Sequence, residues 1–235
     1  MKLFLLNIGN TNTQFAEWKD GRIVALSSLP SSNLSELQIS DNEIPIAASS
    51  VVPATKKYFE GKNVFWVSPE KKCGIEMTGI DCSTFGSDRL ANLATLANFA
   101  SLPAIVLDFG TAITIDFLDE NKRFKGGAIL PGRLTSRKGL NNLTAQIPLV
   151  PFSDQLPVFG RNTFEAVRSG IDIGTIGAVK EIISRMCQEI NKKAHIVKIA
   201  IGGDAEFFIK NIPELIYGGN DFTLKGIAKI WELNQ

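Results

Sequence analysis

The sequence predicts an α/β protein made of two duplicated halves, an expectation that rests on three observations. The segment Leu5-Leu6-Asn7-Ile8-Gly9-Asn10-Thr11-Asn12-Thr13 recurs in form as Val106-Leu107-Asp108-Phe109-Gly110-Thr111-Ala112-Ile113-Thr114. Both copies run on into a second strand, a charged turn and a third strand, so the similarity is one of supersecondary units. Apolar residues at helical spacing follow the strands in each half.

Taken in order, the first half should contain a strand ending at Asn7, a second at Phe15 to Trp18, the turn Lys19-Asp20-Gly21 and a third strand at Ile23 to Leu26. Ile44 to Val52, closed by Pro53, and Val64 to Val67 read as buried strands. Leu90, Leu93, Ala94 and Ala97 share a face of a helix expected over Ser87 to Ala100. Pro103 precedes the next strand, which places the boundary near Ser101 and gives halves of 1–101 and 102–235. The second half repeats the pattern with strands at Ala104 to Asp108, Ile115 to Leu118 and Phe124 to Ile129, the middle turn being Asp119-Glu120-Asn121. Asn162 or Thr163 can cap a long helix running to about Asn191, with Glu165 in its first turn. Gly170, Gly174 and Ala178 line one face of it, and small residues there suit either close packing within the chain or a dimer seam. A strand at Ile196 to Ile201 and a helix at Leu224 to Leu233 complete the set.

Composition narrows the function. The chain has 235 residues, 44% hydrophobic and 21% charged, with a formal net charge of +1. A nucleic-acid binder usually gathers a basic excess on one face, and here the densest basic cluster is only Arg133 to Lys138, so no nucleic-acid partner is expected. Cys73, Cys82 and Cys187 form no C-x-x-C pair, and with the one histidine, His195, they cannot make a four-ligand zinc site of the usual spacing. His195 follows Lys192-Lys193-Ala194 and reads as part of a solvated turn. The opening residues have four apolar side chains in a row, too few for a signal peptide, and no run approaches a membrane helix, so the expectation is a cytoplasmic protein with no membrane partner. Neither a G-x-x-x-x-G-K-[ST] loop nor any G-x-G occurs, which sets aside P-loop and dinucleotide-binding chemistry.

The repeated motif suits phosphate. A strand ending in an acid or amide, then glycine, then hydroxyl and amide side chains in a tight hairpin, forms a cradle of donors. Asn10, Thr11, Asn12 and Thr13 supply it in the first half, and Asp108 and Asn7 are placed to face cations. Two such turns can hold a polyphosphate between them. Gly86-Ser87-Asp88-Arg89 opens a helix, and two readings stand side by side. One is an ordinary cap with Asp88 favoured by the helix dipole. The other is an anion-binding Arg89 beside a carboxylate that accepts a hydroxyl proton. Gly126-Gly127-Ala128-Ile129-Leu130-Pro131-Gly132 reads as a hairpin strand with close backbone approach and identifies no ligand.

Together these motifs resemble those of the type III pantothenate kinases, members of the acetate and sugar kinase/actin superfamily. The family's D-x-G-N-T, G-x-D-R, D-x-G-T-A and G-G-x-I-x-P-G appear as Asn7 to Thr11, Gly86 to Arg89, Asp108 to Ala112, and Gly126 to Gly132. Weaker echoes are Ser50 to Pro53, Thr144 to Pro148, Gly160 to Thr163 and Gly202-Gly203-Asp204, so the resemblance spans nearly the whole chain. It implies two actin-like ATPase (ribonuclease H-like) domains with a ligand cleft between them, and ATP-dependent phosphorylation of pantothenate at the start of coenzyme A synthesis. By the same resemblance, Asn7, Ile8, Gly9, Asn10, Thr11, Asn12, Thr13, Gln14 and Thr111 would contact ATP. Gly86, Ser87, Asp88, Arg89 and Thr163 would contact pantothenate, with Asp88 the catalytic base. Asp108 would bind a monovalent cation, K⁺ or NH₄⁺, used alongside Mg²⁺, and the protein would be a homodimer. The chain departs from the family pattern at Asn7, where an Asp is usual, and also at Ser87, Gly79 and Ile201. A catalytically weakened nucleotide-binding or regulatory protein of this fold, and a kinase for another small hydroxy acid, are the alternatives.

Overall fold

A computed structural model of the chain describes residues 2–37, 39, 44–190 and 195–235. The first sheet is built from β1 (Lys2–Ile8), β2 (Asn12–Lys19), β3 (Arg22–Pro30), β4 (Ile46–Ser50) and β5 (Val64–Trp66), in the order β3-β2-β1-β4-β5. The two hairpin pairings are antiparallel, while β1–β4 and β4–β5 are parallel. Asp20 and Gly21 both take positive φ, 50° and 84°, between β2 and β3. That is the two-residue turn whose twist matches a hairpin, and it is why Asp-Gly stands there. β1 is buried on both faces, as a central strand must be. Leu3 and Leu5 join one apolar cluster with Ala16, Trp18 and Ala47; Leu6 and Ile8 join another with Leu34, Ala48 and Phe59. Helix α1 (Ser87–Phe99) follows.

The second sheet comes from β6 (Ala104–Phe109), β7 (Ala112–Leu118) and β8 (Phe124–Pro131). After them come α2 (Arg133–Leu143), α3 (Thr163–Arg168), α4 (Gly174–Glu189), β9 (Val197–Ile201), α5 (Ala205–Asn211), β10 (Ile216–Tyr217) and α6 (Phe222–Glu232). The sheet order is β10-β9-β6-β7-β8. Ranked by position in the chain and read from β8, this is third, second, first, fourth, fifth, the same as the first sheet. The long helix expected from Asn162 is α3 and α4 joined by a π-helical turn at Ser169–Ile173. Asn162 caps it, its side chain accepting from the Glu165 backbone N–H at 3.0 Å. The expected end at Asn191, and the Lys192 to Ala194 stretch before the exposed His195, lie outside the described residues. Among the described residues, no helix is long and apolar enough to cross a membrane.

The chain forms two compact units, one of Met1–Val106, Asp116–Gly126 and Gly218–Gln235, the other of Leu107–Ile115 and Gly127–Tyr217. The last helix therefore packs with the N-terminal sheet. Leu224, Ile227, Ile230 and Trp231 of α6 enter the cluster that holds Leu3, Leu5 and Leu90. The crossing of α1 and α6 is close, because a Cβ at Gly226 would run into the Ala91 carbonyl. Thr95 Oγ1 donates to the Phe222 carbonyl at 2.7 Å and Thr223 Oγ1 to Asn92 Oδ1 at 2.8 Å, so the contact also satisfies buried polar groups.

Candidate active site

In the first unit, the turn after β1 is tight. The Gly9 N–H donates to the Asn12 carbonyl at 3.0 Å, and a Cβ on Gly9 would sit 3.0 Å from that same oxygen. Ser31 braces the turn from β3's end: its hydroxyl donates to the Gly9 carbonyl at 2.7 Å and its N–H to the Thr11 carbonyl at 2.9 Å. Asn10, Thr11 and Asn12 are exposed, as a phosphate cradle requires. Thr13 corrects the expectation of an outward donor. It is fully buried, with its hydroxyl 3.0 Å from Ser31 Oγ, so it supports the turn from behind. Ile8 is likewise core, which limits it to backbone contact. Gln14 Nε2 donates to the Asn220 carbonyl at 3.2 Å.

Asn7 lies on the β1 face shared with Leu3 and Leu5, and its Oδ1 is buried with no hydrogen-bond partner. An orphaned buried acceptor is uncommon and costs on the order of 1–3 kcal/mol if left so. It fits a role facing a hydrated cation or a bound ligand. Among the described residues, no three of His, Cys, Asp or Glu gather into a metal site.

The start of α1 is anchored to the end of β4. Ser87 Oγ lies 2.9 Å from Ser49 Oγ, accepts from the Ser50 N–H at 3.0 Å and donates to the Ser50 carbonyl at 3.1 Å. The Ser87 hydroxyl is thus engaged in holding the helix in place. Asp88 follows, its Oδ1 accepting from the Arg89 N–H at 2.7 Å. Burial pushes the Asp88 carboxyl above the usual range, against the pull of that bond and of the Arg89 charge. A Cβ at Gly86 would stand 2.6 Å from Asp88 Oδ1, so glycine there leaves the carboxylate in place. Arg89 in turn makes a two-point ion pair with Asp116 of β7, Nε to Oδ2 at 3.1 Å and Nη2 to Oδ1 at 2.5 Å. Its guanidinium lies 4.5 Å from the Phe85 ring centre.

In the second unit, the Gly110 N–H donates to the Ala112 carbonyl at 3.0 Å, closing a turn one residue shorter than its counterpart. The Thr111 carbonyl accepts from the Gly132 N–H at 3.0 Å and from Thr135 Oγ1 at 2.6 Å, so the start of α2 clamps this loop. A Cβ at Gly132 would strike the Gly110 carbonyl, and one at Gly202, whose φ is 91°, would stand 2.5 Å from Asp108 Oδ1. These two glycines let three chain segments meet around Asp108 and Thr111. Arg133 and Arg137 of the basic cluster are buried. Arg133 Nε donates to Asp172 Oδ1 at 2.9 Å and Arg137 Nη2 to both Asp172 oxygens at 2.9 and 2.8 Å. A cavity of about 1150 Å³ lies in the same unit, lined by Thr163, Arg161 and Ile147 among others. Gly170, Gly174 and Ala178 line it too. Apart from chain neighbours and the helix's own backbone, nothing lies within 4 Å of a Cβ built at Gly170 or Gly174, so this part of the face is open.

Sequence reasoning missed Asp116, Ser31, Ser49 and the Arg133–Asp172–Arg137 network. Only Asp116 left a trace, as a lone acid inside the apolar strand Ile113-Thr114-Ile115-Asp116-Phe117-Leu118.

The family model for type III pantothenate kinase matches residues 3–185. The chain is 36% identical over 209 residues to type III pantothenate kinase 1 of Francisella tularensis subsp. holarctica (strain OSU18), covering 85% of this chain and 80% of that one. It is 34% identical over 260 residues to the type III pantothenate kinase of Kosmotoga olearia, covering 99% and 96%. Among solved structures, a Campylobacter jejuni protein described as a Baf family transcriptional activator superposes with a TM-score of 0.70 at 22% identity, over 97% of each chain. The activator of 2-hydroxyisocaproyl-CoA dehydratase from Clostridium difficile, with bound ADPNP, gives 0.55 at 14% identity over 99% and 96%. These two likenesses concern the fold.

Proposed function

Because this chain belongs to the type III pantothenate kinase family, we propose that it transfers the γ-phosphoryl group of ATP to pantothenate, giving 4′-phosphopantothenate and ADP. The observation that carries the chemistry is Asp88, a partly buried carboxylate fixed at the start of α1 beside Arg89. The pantothenate hydroxyl oxygen forms the new bond to phosphorus as the bond to the β-phosphate oxygen breaks, and Asp88 takes the hydroxyl proton. A loose transition state asks little of that base, so positioning is the main contribution. The exposed Asn10, Thr11 and Asn12, with Gly9, bind phosphate oxygens, and the family resemblance adds Thr111 as an ATP contact. Mg²⁺, when bound, neutralises charge that builds on the transferring group.

Asp108 is the residue for a monovalent cation, K⁺ or NH₄⁺. Arg89 meets the pantothenate carboxylate and Thr163 a further part of that substrate. The two units correspond to duplicated actin-like domains, a reading supported by the shared strand order of the two sheets. The protein works in the cytoplasm as a homodimer. Support for the dimer comes from the open glycine face and from Leu143, Val158 and Phe159, which are 86%, 72% and 84% exposed.

The test is ATP consumption with pantothenate, Mg²⁺ and K⁺, each omitted in turn. Turnover should need all three, and NH₄⁺ but not Na⁺ should replace K⁺. Equal rates in sodium-only and potassium buffers would remove the monovalent site. No response to pantothenate, with turnover of another small hydroxy acid, would move the chain to that substrate; ATP binding without any turnover would leave a regulatory role.

A further inference from the structure

Asp116 has no place in the scheme above, and its setting is unusual for a residue of purely structural value. It is fully buried in β7, among Ile113, Ile115, Phe117 and Leu118, all buried. Taking a carboxylate out of water costs several kcal/mol, on the order of what its ion pair returns, and apolar replacements of such pairs are often neutral or better. Stability alone therefore gives a weak reason for an acid here. What the ion pair does achieve is geometric. Both Asp116 oxygens receive one edge of the Arg89 guanidinium, Nε and Nη2, so the planar fork cannot turn about its axis. The Phe85 ring, 4.5 Å from the guanidinium carbon, and the Phe124 ring at 6.0 Å restrict it further. Asp116 does not engage the Nη1 end. Left unfixed, an arginine side chain carries rotamer entropy that ligand binding would have to remove.

We propose that Asp116 is a positioning residue for pantothenate: it acts through Arg89, holding the guanidinium so that its Nη1 end is aimed at the substrate carboxylate. This rests on the kinase reading given above. The arrangement also sets a limit on affinity. Asp116 and Asp88 both lie against the single Arg89 charge, so the cation is largely balanced before substrate arrives. The gain is then direction and selectivity for a planar carboxylate more than raw attraction.

Two variants test it. Asp116→Asn turns an N–H group toward the guanidinium and breaks the two-point pair. Asp116→Glu keeps a buried negative charge but shifts the carboxylate by one methylene, out of register with the fork. For both, KM for pantothenate should rise roughly tenfold or more, the scale of a misaligned charged hydrogen bond, with KM for ATP unchanged. Calorimetric titration of pantothenate into the protein should weaken in parallel, which gives a readout independent of turnover. Combining either variant with Arg89→Lys should add little to the loss from Arg89→Lys alone, because Asp116 acts only through the fork. Wild-type pantothenate KM in Asp116→Glu, losses that simply add, or insolubility of both variants would overturn the proposal, the last marking Asp116 as a folding residue. A wild-type protein that ignores pantothenate would instead overturn the kinase reading, so the two failures are separate.

Discussion

Asp88, the base proposed above, sits in a place that resists its ionisation. Burial holds its carboxyl above the usual range, and the kinase needs the ionised form, so kcat/KM for pantothenate should fall as pH drops through that raised value. The acid limb of the pH profile should sit above the ordinary aspartate position of about 3.9; a limb at or below it would show that burial does not control the base. Asp88→Asn should lower turnover by about 10²- to 10⁴-fold, the usual loss on removing a positioned base. Its effect on stability should have the opposite sense. A carboxyl whose folded pKa is raised loses stability as pH climbs from the unfolded to the folded value, so at neutral pH the amide should melt no lower than wild type. A variant within threefold of wild-type kcat removes Asp88 from the mechanism. Asn7 poses the converse question. Its buried Oδ1 lacks a partner, and an amide there supplies an acceptor without charge. Asn7→Asp should lower the half-saturating Mg²⁺ and raise kcat/KM for ATP, because charge near the phosphates is what a phosphotransferase mainly contributes. If Mg²⁺ demand and rate are both unchanged, Asn7 is suited to its site as it stands.

At the scale of elements, close approach decides more than composition does. The α1–α6 crossing depends on Gly226, where any Cβ meets the Ala91 carbonyl, and backbone cannot give way as a side chain can. Gly226→Ala should therefore destabilise by about 1–3 kcal/mol or more, the range for overpacking, seen as a lower denaturation midpoint; a Tm equal to wild type would mean that the helices can separate at no cost. Strands and hairpins were legible because their information is local. Asp20-Gly21 dictates a turn, and the apolar runs Leu3 to Leu6 and Ile105 to Leu107 mark the central strands β1 and β6. The helix start at Asn162 was legible for the same reason, since Asn followed by Glu165 carries its own capping chemistry. The π-helical turn at Ser169–Ile173 was not, because Asp172 earns its position from Arg133 and Arg137, which lie 35 or more residues away. Within the site, exposed loop residues could be named from spacing. Which of them turn inward could not: Thr13 is the first buried residue of β2, and only the sheet's register shows that its hydroxyl meets Ser31.

At the scale of the molecule, a near-neutral chain has arginines enough for a basic face but buries its central pair. Arg133 and Arg137 are 4% and 1% exposed and paired with Asp172, so two of the three charges in the densest basic cluster are interior, while Lys138 stays exposed. Among polar residues, that unit also exposes large apolar side chains. Leu140, Leu143, Val158, Phe159 and Phe164 are all exposed, and the cavity of about 1150 Å³ beside Thr163 has glycines in its wall with nothing packed on them. Isolated apolar residues on a surface need no explanation, whereas a set gathered in one unit around an open groove favours association. A second copy is the occupant argued for here, since the same patch can cover its equivalent and such symmetric contacts are the commonest in soluble oligomers. Light scattering should give twice the chain mass at micromolar concentration. Phe159→Ser with Val158→Ser should shift that equilibrium toward monomer. Gly174→Leu, which fills the groove without touching the core, should do so as well. With Thr163 at the groove and in the proposed role of a pantothenate contact, monomeric variants should also lose affinity for pantothenate while ATP binding persists. A wild-type monomer that is fully active would remove the dimer and leave the groove as substrate space alone; a dimer unmoved by all three substitutions would place its interface on another face of the molecule.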